Sequence, residues 1–170
     1  HDNGIIFIVD AAQSAGVLDI DADRDNIDIL CTPGHKGLYA PMGSGFIAVG
    51  DGITLDTIIE GGTGSMSMIL SQPKDLPDRL ESGTLNNVAI CGLAAGIDFV
   101  NSKKIDNIYN HEKSLMNMVY KEMSKNENVT LYTPDFKDAF SAPILSFNFK
   151  DYPSEKTASL LAQKNIATRA

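Results

Sequence analysis

The chain has no tryptophan, only two cysteines and no apolar run long enough to cross a bilayer. It also lacks the charged-then-apolar opening of a secretory leader. Cys31 and Cys91 lie singly in apolar surroundings without CxxC spacing. That excludes a disulfide framework and points to a reduced, cytoplasmic protein with no membrane partner. No His, Cys, Asp and Glu cluster has metal-ligand spacing, and His1 and His111 stand alone. Basic residues are scarce. Fourteen Lys and Arg against 22 Asp and Glu give a formal charge of -8. With no local basic cluster, a nucleic-acid surface is excluded.

What remains is the composition of a soluble globular protein, 43% apolar and 21% charged over 170 residues. That length suits one domain or one and a half. The chain opens His1-Asp2-Asn3-Gly4 without methionine, reads as a strand by Ile6, and stops at Ala170 directly after another strand-like run. Domains begin and end in surface segments, so we expect a piece of a larger enzyme.

Ile5 to Val9 is a continuous, largely β-branched run, the pattern of a strand covered on both faces in a parallel sheet. Ala11 to Ala15 reads as a short helical turn closed by Gly16. Asp19 to Asp28 reads as a solvated connection. Further strands are expected over Ile27–Cys31 and Phe46–Val49. Ile53 to Ile59 fits strand or short helix. Glu60 to Asp78 reads as a long irregular stretch, more an active-site loop than a phosphate nest at Gly61-Gly62-Thr63-Gly64, because no helix signal follows. Helices are expected from about Asn87 to Asn101, with Ala89, Gly92 and Gly96 allowing close packing, and from Ile105 to Ser124. Beyond them come strands at Val129–Tyr132 and Ile144–Phe149, a helix from a Ser154 cap to about Lys164, and a returning strand at Ile166–Arg169. Cys31 and Cys91 read as packing residues. The fold class is α/β, passing near residue 110 into a small α+β unit.

Thr32-Pro33-Gly34-His35-Lys36-Gly37 places a lysine between two strands rather than on a helix surface. Burying an ammonium is costly, so a lysine at a strand end among glycines is a candidate Schiff-base lysine. Pyridoxal phosphate would need that lysine, a carboxylate for the ring nitrogen and donors for the phosphate. Asp10 ends the first strand, where open α/β sheets bind ligands, and Gln13 lies one helical turn further on.

Val9-Asp10-Ala11-Ala12-Gln13-Ser14, Gly34-His35-Lys36-Gly37, Gly43-Ser44-Gly45 and Glu81-Ser82-Gly83-Thr84 with Asn86 together resemble the class V aminotransferase family. That family includes the cysteine desulfurases and selenocysteine lyases among fold-type I pyridoxal phosphate enzymes. The resemblance implies that residues 1–110 are the later part of a cofactor-binding large domain, and residues 111–170 the first part of a small C-terminal domain. It implies Lys36 as the Schiff-base lysine, Asp10 at the pyridine nitrogen, Gln13 near the phenolic oxygen and His35 at the phosphate. Gly83 and Thr84 would reach the phosphate of a neighbouring subunit, making the enzyme a homodimer. Arg169 would lie close to an amino-acid substrate, and a sulfur-acceptor protein is a further implied partner. Pro33 stands where the family has a small hydroxylated phosphate ligand, with Thr32 as its substitute. Leu85 replaces a usual proline and Ala40 a usual glycine.

The leading expectation is thus a pyridoxal phosphate enzyme acting on an amino acid, most like a cysteine desulfurase or selenocysteine lyase, with a class V aminotransferase as the alternative. A lysine-dependent lyase without the cofactor would leave Asp10 without a ring nitrogen to meet. An inert fragment is the non-enzymatic reading, and these 170 residues alone are expected to show no turnover.

Overall fold

A computed structural model of the chain describes residues 3–64, 66, 68–135 and 141–170. His1 lies outside the described residues, as do Ser65 and Ser67 within the irregular stretch. The chain forms two compact units, His1–Lys104 and Ile105–Ala170.

In the first unit, strands β1 (Ile8–Asp10), β2 (Ile29–Pro33) and β3 (Gly45–Val49) form one sheet in that order. β1 runs parallel to β2, with Asp10 opposite Cys31, and β3 runs antiparallel to β2, with Gly45 opposite Pro33. The sheet is therefore mixed. Helix α1 (Asn87–Lys103) buries Ala89, Leu93, Gly96 and Val100, a stripe at helical spacing. Ala11, Val17, Ile29 and Leu38 complete this unit's buried apolar set. Each large aliphatic side chain so buried contributes about 1.5–3 kcal/mol. Asn86 opens the helix: its side chain accepts from the Ala89 N–H, a cap worth about 1 kcal/mol. Lys104 closes it at φ 68, donating its N–H to the Val100 carbonyl.

Three expectations fail here. Ile5, Ile6, Phe7 and Ile8 are exposed, not covered on both faces. β1 pairs only with β2 among the described residues, so it stands at an edge of the sheet. Cys91 is exposed as well, because the buried stripe of α1 runs through positions 89, 93, 96 and 100 and leaves position 91 outside it. Residues 53–59 form neither strand nor helix.

The second unit carries α2 (Ile105–Met123), β4 (Val129–Leu131), β5 (Phe147–Phe149) and α3 (Ser154–Ala162). β4 and β5 pair antiparallel, Val129 opposite Phe149, and α3 packs on β5. Ser154 is not the cap. Pro153 holds that place without a side-chain bond, and the Ser154 hydroxyl donates to Asn148 Oδ1 at 3.3 Å. Residues 166–169 form no strand: the Ile166 N–H returns to the Leu161 carbonyl, and the segment lines a groove instead. An α/β unit followed by a small α+β unit is the fold class the sequence led us to expect.

Candidate functional site

Two loops meet where β1 and β2 end. The first begins at Asp10, whose Oδ1 accepts from the Ala12 N–H at 2.9 Å and turns the chain toward Gly16. The second begins at Gly34 and carries His35 and Lys36. Gly16 and Gly37 bring these loops into backbone contact. A Cβ on Gly16, which sits at φ +83, would overlap the Gly37 carbonyl, and a Cβ on Gly37 would overlap the Ala15 carbonyl. No residue with a side chain permits that approach. On its other side the second loop lies against α1, where a Cβ on Gly96 would overlap the Leu38 carbonyl. Leu38 is buried, the Tyr39 N–H donates to the Lys36 carbonyl at 2.9 Å, and the Tyr39 ring meets Phe99 edge to face with centroids 5.0 Å apart. Lys36 is thus an exposed side chain on a firmly seated backbone.

A cavity of about 590 Å³ opens over the strand ends, lined by Asp10, Cys31, Thr32, Pro33, Ile47 and Glu81 among others. Asp10 and Thr32 are the sequence-nominated residues in its wall. Thr32 is only 6% exposed, and its hydroxyl lies 3.5 Å from the Ala11 carbonyl and 3.3 Å from that of Pro33. Gln13, His35 and Lys36 lie outside this wall, exposed on the two loops that meet at Gly16 and Gly37. The contact of Gly16 with Gly37 sets the loop of Asp10 and Gln13 beside the loop of His35 and Lys36. Gly83 and Thr84 are exposed on the segment before α1. Arg169 belongs to the second unit, where it lines an apolar groove of about 800 Å³ with Phe147, Thr157 and Ile166.

The irregular stretch is more ordered than its composition suggests. The Gly83 N–H donates to the Gly61 carbonyl at 2.9 Å, and Asn86 Nδ2 donates to the Gly43 carbonyl at 3.4 Å. Arg79 Nε donates to the Leu55 carbonyl at 2.6 Å. Gln72, buried beneath this loop, bonds to Gly61 and to Asp78. Sequence reasoning passed over Gln72. A lone glutamine before a proline has no signature, and its importance depends on backbone groups distant in sequence. No group of three or more His, Cys, Asp and Glu among the described residues is arranged to hold a metal ion. No helix among them is long and apolar enough to cross a membrane.

The aminotransferase class-V family profile matches residues 1–170. A probable cysteine desulfurase of Methanothermobacter thermautotrophicus is 31% identical over 166 residues, covering 95% of this chain and 40% of that protein. The apo structure of a cysteine desulfurase from Thermococcus onnurineus NA1 superposes with a TM-score of 0.75 at 30% identity, covering 99% of this chain and 42% of that one. The cysteine desulfurase CsdA of Escherichia coli, in an S-sulfonic acid form, superposes with a TM-score of 0.83. At 24% identity over 99% of this chain and 42% of that one, it speaks for the fold alone. The chain spans about two fifths of the length of the curated relatives it matches.

Proposed function

Because the chain belongs to the aminotransferase class-V family, we propose that it carries the lysine and the carboxylate of a pyridoxal phosphate enzyme acting on an amino acid, of the cysteine desulfurase kind. The observation that carries this reading is the backbone contact of Gly16 with Gly37, which sets the loop of Asp10 and Gln13 beside that of His35 and Lys36.

The residues fit the cofactor on the features at hand. A carboxylate stands at a strand end in the wall of a cavity of about 590 Å³, within the size range of small-molecule sites. An exposed lysine sits on the adjoining loop, anchored by its backbone and not its side chain. Asp10 would face the ring nitrogen, Gln13 the phenolic oxygen and His35 the phosphate, with Lys36 as the covalent anchor. Thr32 has its hydroxyl placed against the Ala11 and Pro33 carbonyls, so in this reading it ties the two strand ends together. The phosphate then depends more on His35 and on Thr84 of a second copy of the chain.

When bound, pyridoxal phosphate supplies an electron sink for the α-carbon of an amino acid. The protein's part is positional and protonic. Asp10, its Oδ1 already held by the Ala12 N–H, offers a fixed negative charge to a ring nitrogen. Lys36 Nζ would take and return the proton at the substrate α-carbon. Arg169 would pair with the substrate carboxylate, a bidentate match for its guanidinium. A homodimer, a cytoplasmic setting and a sulfur-acceptor protein complete the proposal.

The test is borohydride reduction of the full-length protein loaded with pyridoxal phosphate, followed by peptide mapping. The label is expected on Lys36, and Lys36→Ala is expected to lose the label and about a thousandfold or more of the activity. A label on another lysine, with Lys36→Ala active, would overturn the assignment. Alanine as the product from cysteine distinguishes desulfuration from transamination, which yields a 2-oxo acid.

A further inference from the structure

Thr32 and Gln72 are the buried polar side chains among the described residues, and Gln72 is 8% exposed. A buried amide is tolerated when both its ends are bonded, because an orphaned end costs roughly 1–3 kcal/mol. Gln72 meets that condition with the backbone of two separate segments. Its Oε1 accepts from the Gly61 N–H at 3.0 Å, and its Nε2 donates to the Asp78 carbonyl at 3.1 Å. One partner is a donor and the other an acceptor, so they also fix which way the amide faces.

The tie reaches further through Gly61. Its N–H is held by Gln72, and its carbonyl accepts from the Gly83 N–H at 2.9 Å. Beside it, a Cβ on Gly62 would come within 3.0 Å of the Gly83 Cα, so the two segments touch backbone to backbone. Met68 and Leu70 on this loop are 97% and 92% exposed and add no core of their own, and Arg79 ties its later part to the Leu55 carbonyl. The chain of contacts runs from Gln72 to Gly61, from Gly61 to Gly83, and so to Thr84.

We propose that Gln72 is a positioning residue that sets the Gly83–Thr84 turn for contact with the cofactor phosphate. The proposal rests on the reading of Thr84 given above. Gln72 itself touches no cofactor. Its effect passes through the bond from the Gly61 N–H to its side chain and the Gly83–Gly61 backbone bond, and is therefore confined to the phosphate end of the ligand.

Pyridoxal, which lacks the phosphate, separates this role from a general structural one. In the full-length protein, affinities for pyridoxal phosphate and for pyridoxal are measured by visible absorbance for the parent, Gln72→Met, Gln72→Glu, Thr84→Val and the Gln72→Met/Thr84→Val double variant. Met keeps the volume and loses both bonds. Glu keeps the acceptor for Gly61 and loses the donor to Asp78. Thr84→Val is expected to lower the affinity ratio of phosphate form to pyridoxal about tenfold, and Gln72→Met about fivefold, with Gln72→Glu between Gln72→Met and the parent. Adding Gln72→Met to Thr84→Val is expected to lower the ratio less than about twofold further, as for two residues acting through one contact. Amide hydrogen exchange without cofactor is expected to speed up at Gly61 and Gly83 in Gln72→Met.

An unchanged ratio in Gln72→Met while Thr84→Val loses affinity overturns the role of Gln72 and leaves Thr84 standing. Fully additive losses, or unchanged exchange at Gly61 and Gly83, also overturn it. An unchanged ratio in Thr84→Val overturns the reading of Thr84 and this inference with it. If Gln72→Met does not fold, Gln72→Glu carries the same comparison.

Discussion

The turn after β2 and the loop that reaches from Gly61 to Thr84 both use glycine, but they are packed to different degrees. The lysine turn is seated from several sides at once: against the Asp10 loop through Gly16 and Gly37, against α1 through Gly96, and in the core through Leu38. The second loop exposes Met68 and Leu70 and is tied by hydrogen bonds from one buried amide and its neighbours. An added Cβ on Gly16, Gly37 or Gly96 would overlap a backbone carbonyl, so the lysine turn has little room to shift. The backbone contact of Gly62 with Gly83 is looser at 3.0 Å, and the hydrogen-bonded clasp beside it can open and close at a cost of about 1 kcal/mol per bond. The covalent anchor would thus sit on the rigid element and the proposed phosphate contact on the adjustable one.

Two glycine substitutions break this comparison cleanly, because both residues have positive φ and differ in what surrounds them. Gly16 at φ +83 abuts the Gly37 carbonyl, while Gly61 at φ +103 has nothing within 4 Å of an added Cβ. Gly16→Ala is expected to cost about 3 kcal/mol or more, combining strain with overpacking. Gly61→Ala is expected to cost about 1 kcal/mol from backbone strain alone. Urea unfolding of the full-length variants measures both, and equal losses would remove the distinction between the loops.

The smallest expected effect lies away from both loops and provides a control. Hydrogen bonding from Arg24 holds the Asp25 carboxyl down to about 2, and the same contacts, led by Asp25, raise the guanidinium further above its usual range. The folded value for Asp25 lies below the unfolded one, so the stabilisation is present above the usual carboxylate pKa of about 4. It is lost as pH falls from there toward about 2. The pair is exposed, so the effect is slight. The stability difference between the parent and Asp25→Asn is expected to shrink across that window, with no parallel change at Gly61 or Gly83 by hydrogen exchange.

Much of this arrangement can be read from the residues, for reasons that differ by element. Helical periodicity located α1 and α2 to within about two residues, because a long amphipathic stripe repeats its signal along the whole element. The short strands were read less well. The apolar run Ile5–Val9 marks where a strand can form, but pairing with β2 sets where it does form, at Ile8–Asp10. β2 is likewise displaced two residues, to end at Pro33 opposite Gly45. The lysine turn was legible because its glycines are local. Gln72 was not, since its partners at Gly61 and Asp78 are backbone groups that any residue would present.

The sheet carries one more consequence, for handling the protein. β1 and β3 each have a single strand neighbour among the described residues, and the approach to β1 is lined by exposed Ile5, Ile6 and Phe7. A bare apolar edge recruits any strand that will pair with it, including one from another molecule. Expressed by themselves, these 170 residues are therefore prone to aggregate through β1. A lysine at Ile6, where a charge would have to be buried for strands to stack, is the simplest gatekeeper.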